Sequence, residues 1–106
     1  MFPLESGSEG VMNIKLMGDK IRNEDDFHEQ LAKSLGVEVF YGFNCDALWD
    51  LLSASVERPL NLTWEHSAES RAKMGDSFER IVAVLERVKQ QDEEFGWVDR
   101  FTYVLD

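Results

Sequence analysis

Three short stretches with the alternation of a β-strand are kept apart by stretches with the periodicity of an α-helix, and this order limits the fold more than anything else in the chain. In Met12–Met17 (MNIKLM), Ile14 and Leu16 alternate with Asn13 and Lys15. Over 60–64, Leu60, Leu62 and Trp64 alternate with Asn61 and Thr63, while Phe101–Leu105 (FTYVL) is rich in β-branched and aromatic side chains. Two helical stretches lie in each gap, giving β-α-α-β-α-α-β. Successive strands joined by helical crossovers run parallel. The expected fold is therefore α/β, a small three-stranded parallel sheet packed with about four helices. With 106 residues, 43% of them hydrophobic, the chain can bury one core. Residues 12–106 are expected to form that domain, and residues 1–11, with Pro, Ser and Gly among charged positions, a flexible N-terminal extension.

The helices carry their own boundaries. Asn23 can cap a helix whose first turn holds Glu24, Asp25 and Asp26, with Phe27, Leu31 and Leu35 on its core face and Gly36 at its end. Ser67–Met74 ends at Gly75. Asp76 with Glu79 has the form of a capping box, and Phe78, Ile81, Val82, Leu85 and Val88 line one face of a helix reaching about Gln91. A loop over 92–99, containing Trp97, then leads to the last strand.

The remaining helix holds the functional information. Tyr41-Gly42 reads as a turn, Asn44 as an N-cap, and the pattern is helical from Cys45. At about 100° per residue, Leu48, Leu51, Leu52, Ser55 and Val56 share one arc and Asp46, Asp50, Ser53 and Glu57 the opposite one. Asp46, in the first turn, meets the positive end of the helix dipole and is stabilised by about 0.3–1 kcal/mol. Asp50 has no such benefit, and like charges at i,i+4 destabilise an isolated helix by about 0.2–0.5 kcal/mol. Trp49 falls on the border of the two arcs. A solvated acidic face with a Trp completing the core is the plain reading; a half-exposed indole beside carboxylates is also the composition of a binding surface.

The net charge of −10 disfavours nucleic acid and anionic membrane and favours a basic partner. The single cysteine, Cys45, can form no internal disulfide and reads as an inert, partly buried thiol suited to a reducing cytoplasm. His28 and His66 belong to no metal-ligand spacing and read as surface or helix-edge residues, so neither a metal nor another cofactor is expected. No apolar run approaches the roughly 18 residues of a membrane span, and the N-terminus lacks the regions of a signal peptide.

The run Tyr41-Gly42, Asn44, Asp46-Ala47-Leu48-Trp49-Asp50, Leu52, followed by Val56-Glu57, Pro59-Leu60, Leu62 and Trp64, resembles without a gap the signature segment of the barstar family, small intracellular inhibitors of the extracellular ribonuclease barnase. The resemblance implies the barstar-like fold from about Ile14 onward. It also implies a helix and preceding turn that plug the nuclease cleft, with carboxylates meeting the cations that hold RNA phosphates. On that basis the expected contact residues are Phe40, Gly42, Asn44, Asp46, Trp49, Asp50, Ser53 and Ala54, with Asp50 the central anion. The implied protein is a cytoplasmic, immunity-type inhibitor, a monomer when free, whose partner is a basic ribonuclease or nuclease toxin.

The chain also departs from the family pattern. Phe40 replaces a tyrosine, Ser53-Ala54-Ser55 replaces Thr-Gly-Trp, and Arg87 stands where the family has an acidic contact, with Glu86 beside it as a possible substitute. The anchor is kept while the rim is rewritten, which points to a nuclease other than barnase. Two other readings are open. An enzyme using Asp46 and Asp50 as an acid/base pair would need them in a concave pocket, whereas the pattern places them on a convex, solvated face without a Ser/His/Asp or phosphate-binding arrangement. An acidic adaptor of the same fold with a basic non-nuclease partner is the alternative function.

Overall fold

The computed structural model describes residues 11–39 and 41–106; residues 1–10 of the expected extension, and Phe40, lie outside them. Strands β1 (Met12–Met17), β2 (Leu60–Glu65) and β3 (Phe101–Leu105) form a single parallel sheet in that order. Helices α1 (Glu24–Leu35) and α2 (Cys45–Asp50) lie between the first two strands, and α3 (Ser67–Met74) and α4 (Asp76–Glu94) between the last two. The expected three-stranded parallel sheet with four helices is thus the one observed.

Register explains why the sheet has a dry and a wet side. Ile14 pairs with Leu62, and Leu16 with Trp64, placing these buried side chains in rows on the helix-covered face. The alternate row, Asn13, Asn61 and Thr102, faces outward and is joined by hydrogen bonds: Asn61 Nδ2 donates to Asn13 Oδ1 at 3.1 Å and Thr102 Oγ1 to Asn61 Oδ1 at 2.6 Å. A parallel sheet is usually covered on both faces. Here cross-strand polar pairs occupy the uncovered one.

Trp64 is the hub of the core. Fully buried, its ring lies 4.9 Å from Phe27 of α1 and 4.9 Å from Phe78 of α4. Burying side chains of this size stabilises the fold by about 1.5–3 kcal/mol each. The indole nitrogen, which could not be left without an acceptor, donates to Ser70 Oγ at 3.0 Å, and that hydroxyl donates to the Gly18 carbonyl at 2.7 Å. On α4, Tyr103 of β3 donates its hydroxyl to Glu86 at 2.6 Å; burial and this carboxylate push the phenol up to about 12.

Four details differ from the sequence expectation. Asp76 is the first residue of α4, not its cap: Gly75, at φ +60°, ends α3 and starts α4 without a side-chain cap, a conformation that a side chain would strain. Val82 is only partly buried, and Val84 joins Ile81 and Leu85 inside instead. His28 is fully buried, not at a surface or helix edge, because both ring nitrogens find partners in the interior. Finally, α4 runs on to Glu94, so Asp92, expected in a loop, is helical and fully buried.

A carboxylate in the last turn of a helix opposes the helix dipole and has to be compensated. Arg58, in the connection leading to β2, supplies the charge: its Nε donates to Asp92 Oδ2 at 2.7 Å and a terminal nitrogen to Oδ1 at 3.2 Å. The Phe101 amide donates to Oδ2 at 2.8 Å, and Arg58 also donates to the Val56 carbonyl at 3.1 Å. Burial works against the charged carboxylate, but these donors outweigh it and hold Asp92 below the usual carboxylate range. Since the folded value lies below the unfolded one of about 3.9, the pair stabilises the fold above that pH and loses its contribution as pH falls through the folded value. Asp92→Asn is expected to cost about 3–5 kcal/mol at pH 7, by stranding Arg58, and to flatten the acid limb of the stability curve. Replacing both partners with apolar residues of similar volume should recover most of that loss. Urea unfolding of these variants across pH 2–7, the range about the carboxylate value, makes the comparison.

Candidate functional site

The acidic helix begins on a capped turn. Asn44 is extended at φ −147°; its Oδ1 accepts from the Ala47 amide at 2.8 Å and its Nδ2 donates to the Gly42 carbonyl at 3.2 Å. The side chain thus joins the turn to the helix. A Cβ on Gly42 would lie 3.0 Å from that of Ala47, so glycine permits the close approach.

From Cys45 to Asp50 the helix is α, and its first two turns follow the sequence pattern. Leu48 is buried and Asp46 and Asp50 are exposed. Over Leu51–Ser55 the chain changes to a π-helical turn, ending at Val56. An i→i+5 turn takes one more residue than an α-turn, so the phase slips. Leu51 and Leu52 remain buried and Val56 half-buried, but Ser55, expected on the core arc, is exposed. Ser53 is half-buried and Ala54 exposed beside it.

The acidic side has a shape that the sequence did not suggest. Asp50, Leu51 and Ser55 line a hollow of about 170 Å³ together with Tyr41, Gly42 and Ala47. Asp50 therefore stands at a concavity rather than on a convex face. Asp46 does not line it, so the two carboxylates do not converge in one pocket as an acid/base pair would. Among the described residues, neither aspartate has a cation within 4 Å.

Beneath the turn lies a buried polar chain that the sequence reading missed. Glu24 accepts from His28 Nε2 at 3.0 Å, and His28 Nδ1 lies 2.6 Å from the Tyr41 hydroxyl. Since a carboxylate only accepts, Nε2 carries a proton, and a neutral ring leaves Nδ1 to accept from Tyr41. Burial, followed by the negative surroundings of Cys45 and Glu24, pushes the Tyr41 phenol well above its ordinary value. The Cys45 thiol, 3.9 Å from Glu24, is raised first by burial and then by that carboxylate, which leaves it an unreactive thiol. Phe43 rests on the same group, 5.4 Å from the Tyr41 ring and 6.3 Å from His28, at φ +56°. A left-handed Phe costs about 1–3 kcal/mol, which the surrounding ring packing must hold. The spacing His28–Tyr41, 13 residues apart and on different elements, gave no local signal.

On the other flank, Trp49 is half-buried and the Arg87 guanidinium stacks over its ring, 4.5 Å from the centroid. Glu86 is engaged elsewhere, with Tyr103 and Gln90, and the Tyr103 hydroxyl lowers its pKa. Trp97, which the sequence left unplaced, has the Arg58 guanidinium over its ring, 5.8 Å from the centroid. Of the expected contact residues, Gly42, Asn44, Asp46, Trp49, Asp50, Ser53 and Ala54 all belong to the turn and the helix that follows it, while Phe40 lies outside the described residues. Among the described residues, no group of three or more His, Cys, Asp or Glu side chains could hold a metal ion, and no helix is long and apolar enough to cross a membrane.

Comparison with known proteins adds two findings. A sequence model of the family described as "Barstar (barnase inhibitor)" matches residues 11–103. A Bacillus subtilis (strain 168) protein named "Putative ribonuclease inhibitor YrdF" is 28% identical over 81 residues, covering 76% of this chain and 89% of that protein.

The cap can be tested without any partner. Asn44→Ala removes the acceptor for Ala47 and the link to Gly42 and is expected to cost about 1 kcal/mol, within the range of about 0.5–2 found for such caps. Asn44→Asp, which keeps the acceptor, should lose less than half of that. Thermal unfolding of the two variants beside the parent protein measures the difference.

Proposed function

Because the chain belongs to the barstar family, whose sequence model matches residues 11–103, we propose that it is a protein inhibitor of a ribonuclease and seats the acidic face of α2 in the nuclease's cationic cleft. The observation that carries this reading is the pair Asp46 and Asp50: exposed, four residues apart on a capped helix, and without an internal cation among the described residues. Their mutual repulsion has no structural return for Asp50. A ribonuclease cleft built to hold RNA phosphates supplies the missing cations, and carboxylates occupying those positions exclude the substrate.

In this reading Asp50 is the central anion, and the hollow beside it receives a side chain from the rim of the cleft. Gly42 and Asn44 offer backbone and amide groups, Trp49 a half-exposed ring, and Ser53 and Ala54 a small, closely approached surface; Phe40 completes the contact set. The net charge of −10 draws a basic partner in and speeds the encounter. The inhibitor acts as a monomer in the cytoplasm, where it restrains a nuclease made by the same cell. The B. subtilis relative, by its name, belongs to the same functional class.

Asp50→Ala strands the nuclease's cations in a closed interface, and such truncations cost about 2–5 kcal/mol of binding, chiefly through faster dissociation. Asp50→Asn should keep most of the loss, because an amide does not neutralise the cluster. The ribonuclease captured from the producing cells on the immobilised wild-type protein, titrated with each variant in an RNA-cleavage assay, gives the measurement. Full inhibition by a folded Asp50→Ala, or a captured basic protein that does not cut RNA, would overturn the reading in favour of an acidic adaptor.

Arg87 makes the partner choice testable as well. Stacked on Trp49 at the edge of the acidic face, it repels a cation and suits a neutral or carboxylate group opposite. Weak inhibition of barnase is therefore expected, improved by Arg87→Glu and measured by inhibitor titration. An unchanged titration would place Arg87 outside the contact.

A further inference from the structure

Among the described residues of the turn before α2, one side chain is left to reach outward. Tyr41 is buried, Gly42 has no side chain, and the Asn44 amide is committed at both ends, to the Ala47 N–H and the Gly42 carbonyl. Phe43 is 37% exposed. It also stands at φ +56°, where glycine or asparagine sits with less strain than an aromatic residue. Packing on Tyr41 and His28 offsets that strain through the part of the ring it covers, whereas the exposed part contributes nothing to the fold. A strained residue held where a better-suited one is available points to a surface shaped for contact.

The position of the ring indicates which contact. Phe43 lies between Gly42 and Asn44, both in the expected contact set, and its ring centroid is 5.4 Å from that of Tyr41, a residue that lines the hollow beside Asp50. The exposed ring is therefore continuous with the surface that carries the carboxylates. In the run from Tyr41 to Asp50 that resembles the barstar signature, Phe43 and Cys45 are the two positions outside the match, and Cys45 is a half-buried thiol. The ring is thus a feature of this chain rather than of the motif.

We propose that Phe43 is a partner-selecting contact of the inhibitor, the apolar element of a surface whose charged element is Asp46 and Asp50. The proposal rests on the inhibitor reading above and deepens it by giving the nuclease a second requirement: beside the cations that hold RNA phosphates, an apolar or aromatic face. Sites for single-stranded RNA have such faces, because bases stack on them. Carboxylates steer the encounter over a distance, whereas a ring acts only at contact, by leaving water, and so slows dissociation. A nuclease with the cations but a polar rim at that place loses this part of the affinity, and in that way the ring discriminates.

The test uses the ribonuclease captured on immobilised wild-type protein and compares Phe43→Gly and Phe43→Asn with Asp50→Ala, by association and dissociation kinetics at low and high salt. Both replacements suit a left-handed residue, so they take away the ring and keep the course of the turn. Amide exchange at Ala47, whose N–H donates to the Asn44 side chain, reports on the turn itself. Each Phe43 variant is expected to raise Kd about 10-fold, almost entirely through dissociation and alike at both salt concentrations, with Ala47 exchanging at the wild-type rate. Phe43→Tyr, which keeps the ring, should bind within about twofold of wild type. Weakening by Asp50→Ala with both ring-less variants within about twofold of wild type would overturn the role of Phe43 and leave the inhibitor reading standing. Weaker binding accompanied by faster Ala47 exchange would assign Phe43 to holding the turn and overturn the proposal, as would a loss confined to association. Unweakened binding by Asp50→Ala would overturn the inhibitor reading and the proposal with it.

Discussion

The buried Arg58–Asp92 pair is the constraint on which the arrangement of the site depends. It fastens three places together: the chain leaving the acidic helix, the last turn of α4, and the first residue of β3. Taken alone, such a pair is a poor source of stability, since removing two charges from water costs nearly as much as their attraction returns. Its contribution is to geometry. An apolar contact could slide, whereas two nitrogens facing two carboxylate oxygens fix distance and angle together. With α4 held there, Arg87 lies over Trp49 and the aromatic segment after α4 is brought beside the acidic helix.

The sheet imposes the complementary constraint. Because the strands are parallel, every connection must return over the helix-covered face, and both crossovers deposit their helices on it. The polar ladder of Asn13, Asn61 and Thr102 then lets the opposite face remain wet without leaving amide or hydroxyl groups unsatisfied. Trp64 then lies between α1 and α4, and the acidic helix beside α4. That placement leaves the carboxylates of α2 free of the core while its leucines complete it.

Much of this was legible in the sequence where a residue's partners are near it in the chain. The alternation of Ile14 and Leu16, the spacing of Phe27 and Leu31, and Asn44 as a cap all rest on short-range geometry, and each is found where the pattern put it. The acidic arc of Asp46 and Asp50 was legible for the same reason. What failed to show were features decided by distant partners. His28 looked like a surface residue because the Tyr41 hydroxyl that partners its ring comes from the connection after the helix, 13 positions away. Asp92 looked like a loop residue because nothing in its neighbourhood announces Arg58, 34 positions away. Ser55 was misplaced by a change of helical pitch, which leaves no mark in a hydrophobic pattern that assumes one period.

The π-helical turn and the left-handed Phe43 sit at the two ends of the same short helix, and their placement is itself informative. Both are conformations that a chain selected for stability alone would exchange for regular ones. The turn before the helix is held by Phe43, Tyr41 and His28 against each other, and the turn after it by Arg58 against Asp92. A helix of six α-helical residues is too short to stand by itself in water. Clamped at both ends, it carries two carboxylates whose repulsion it cannot relieve by fraying, and their negative field stays aimed in one direction. A partner that brings cations to that face meets charges already in position, so the cost of arranging them falls on the fold and not on the encounter.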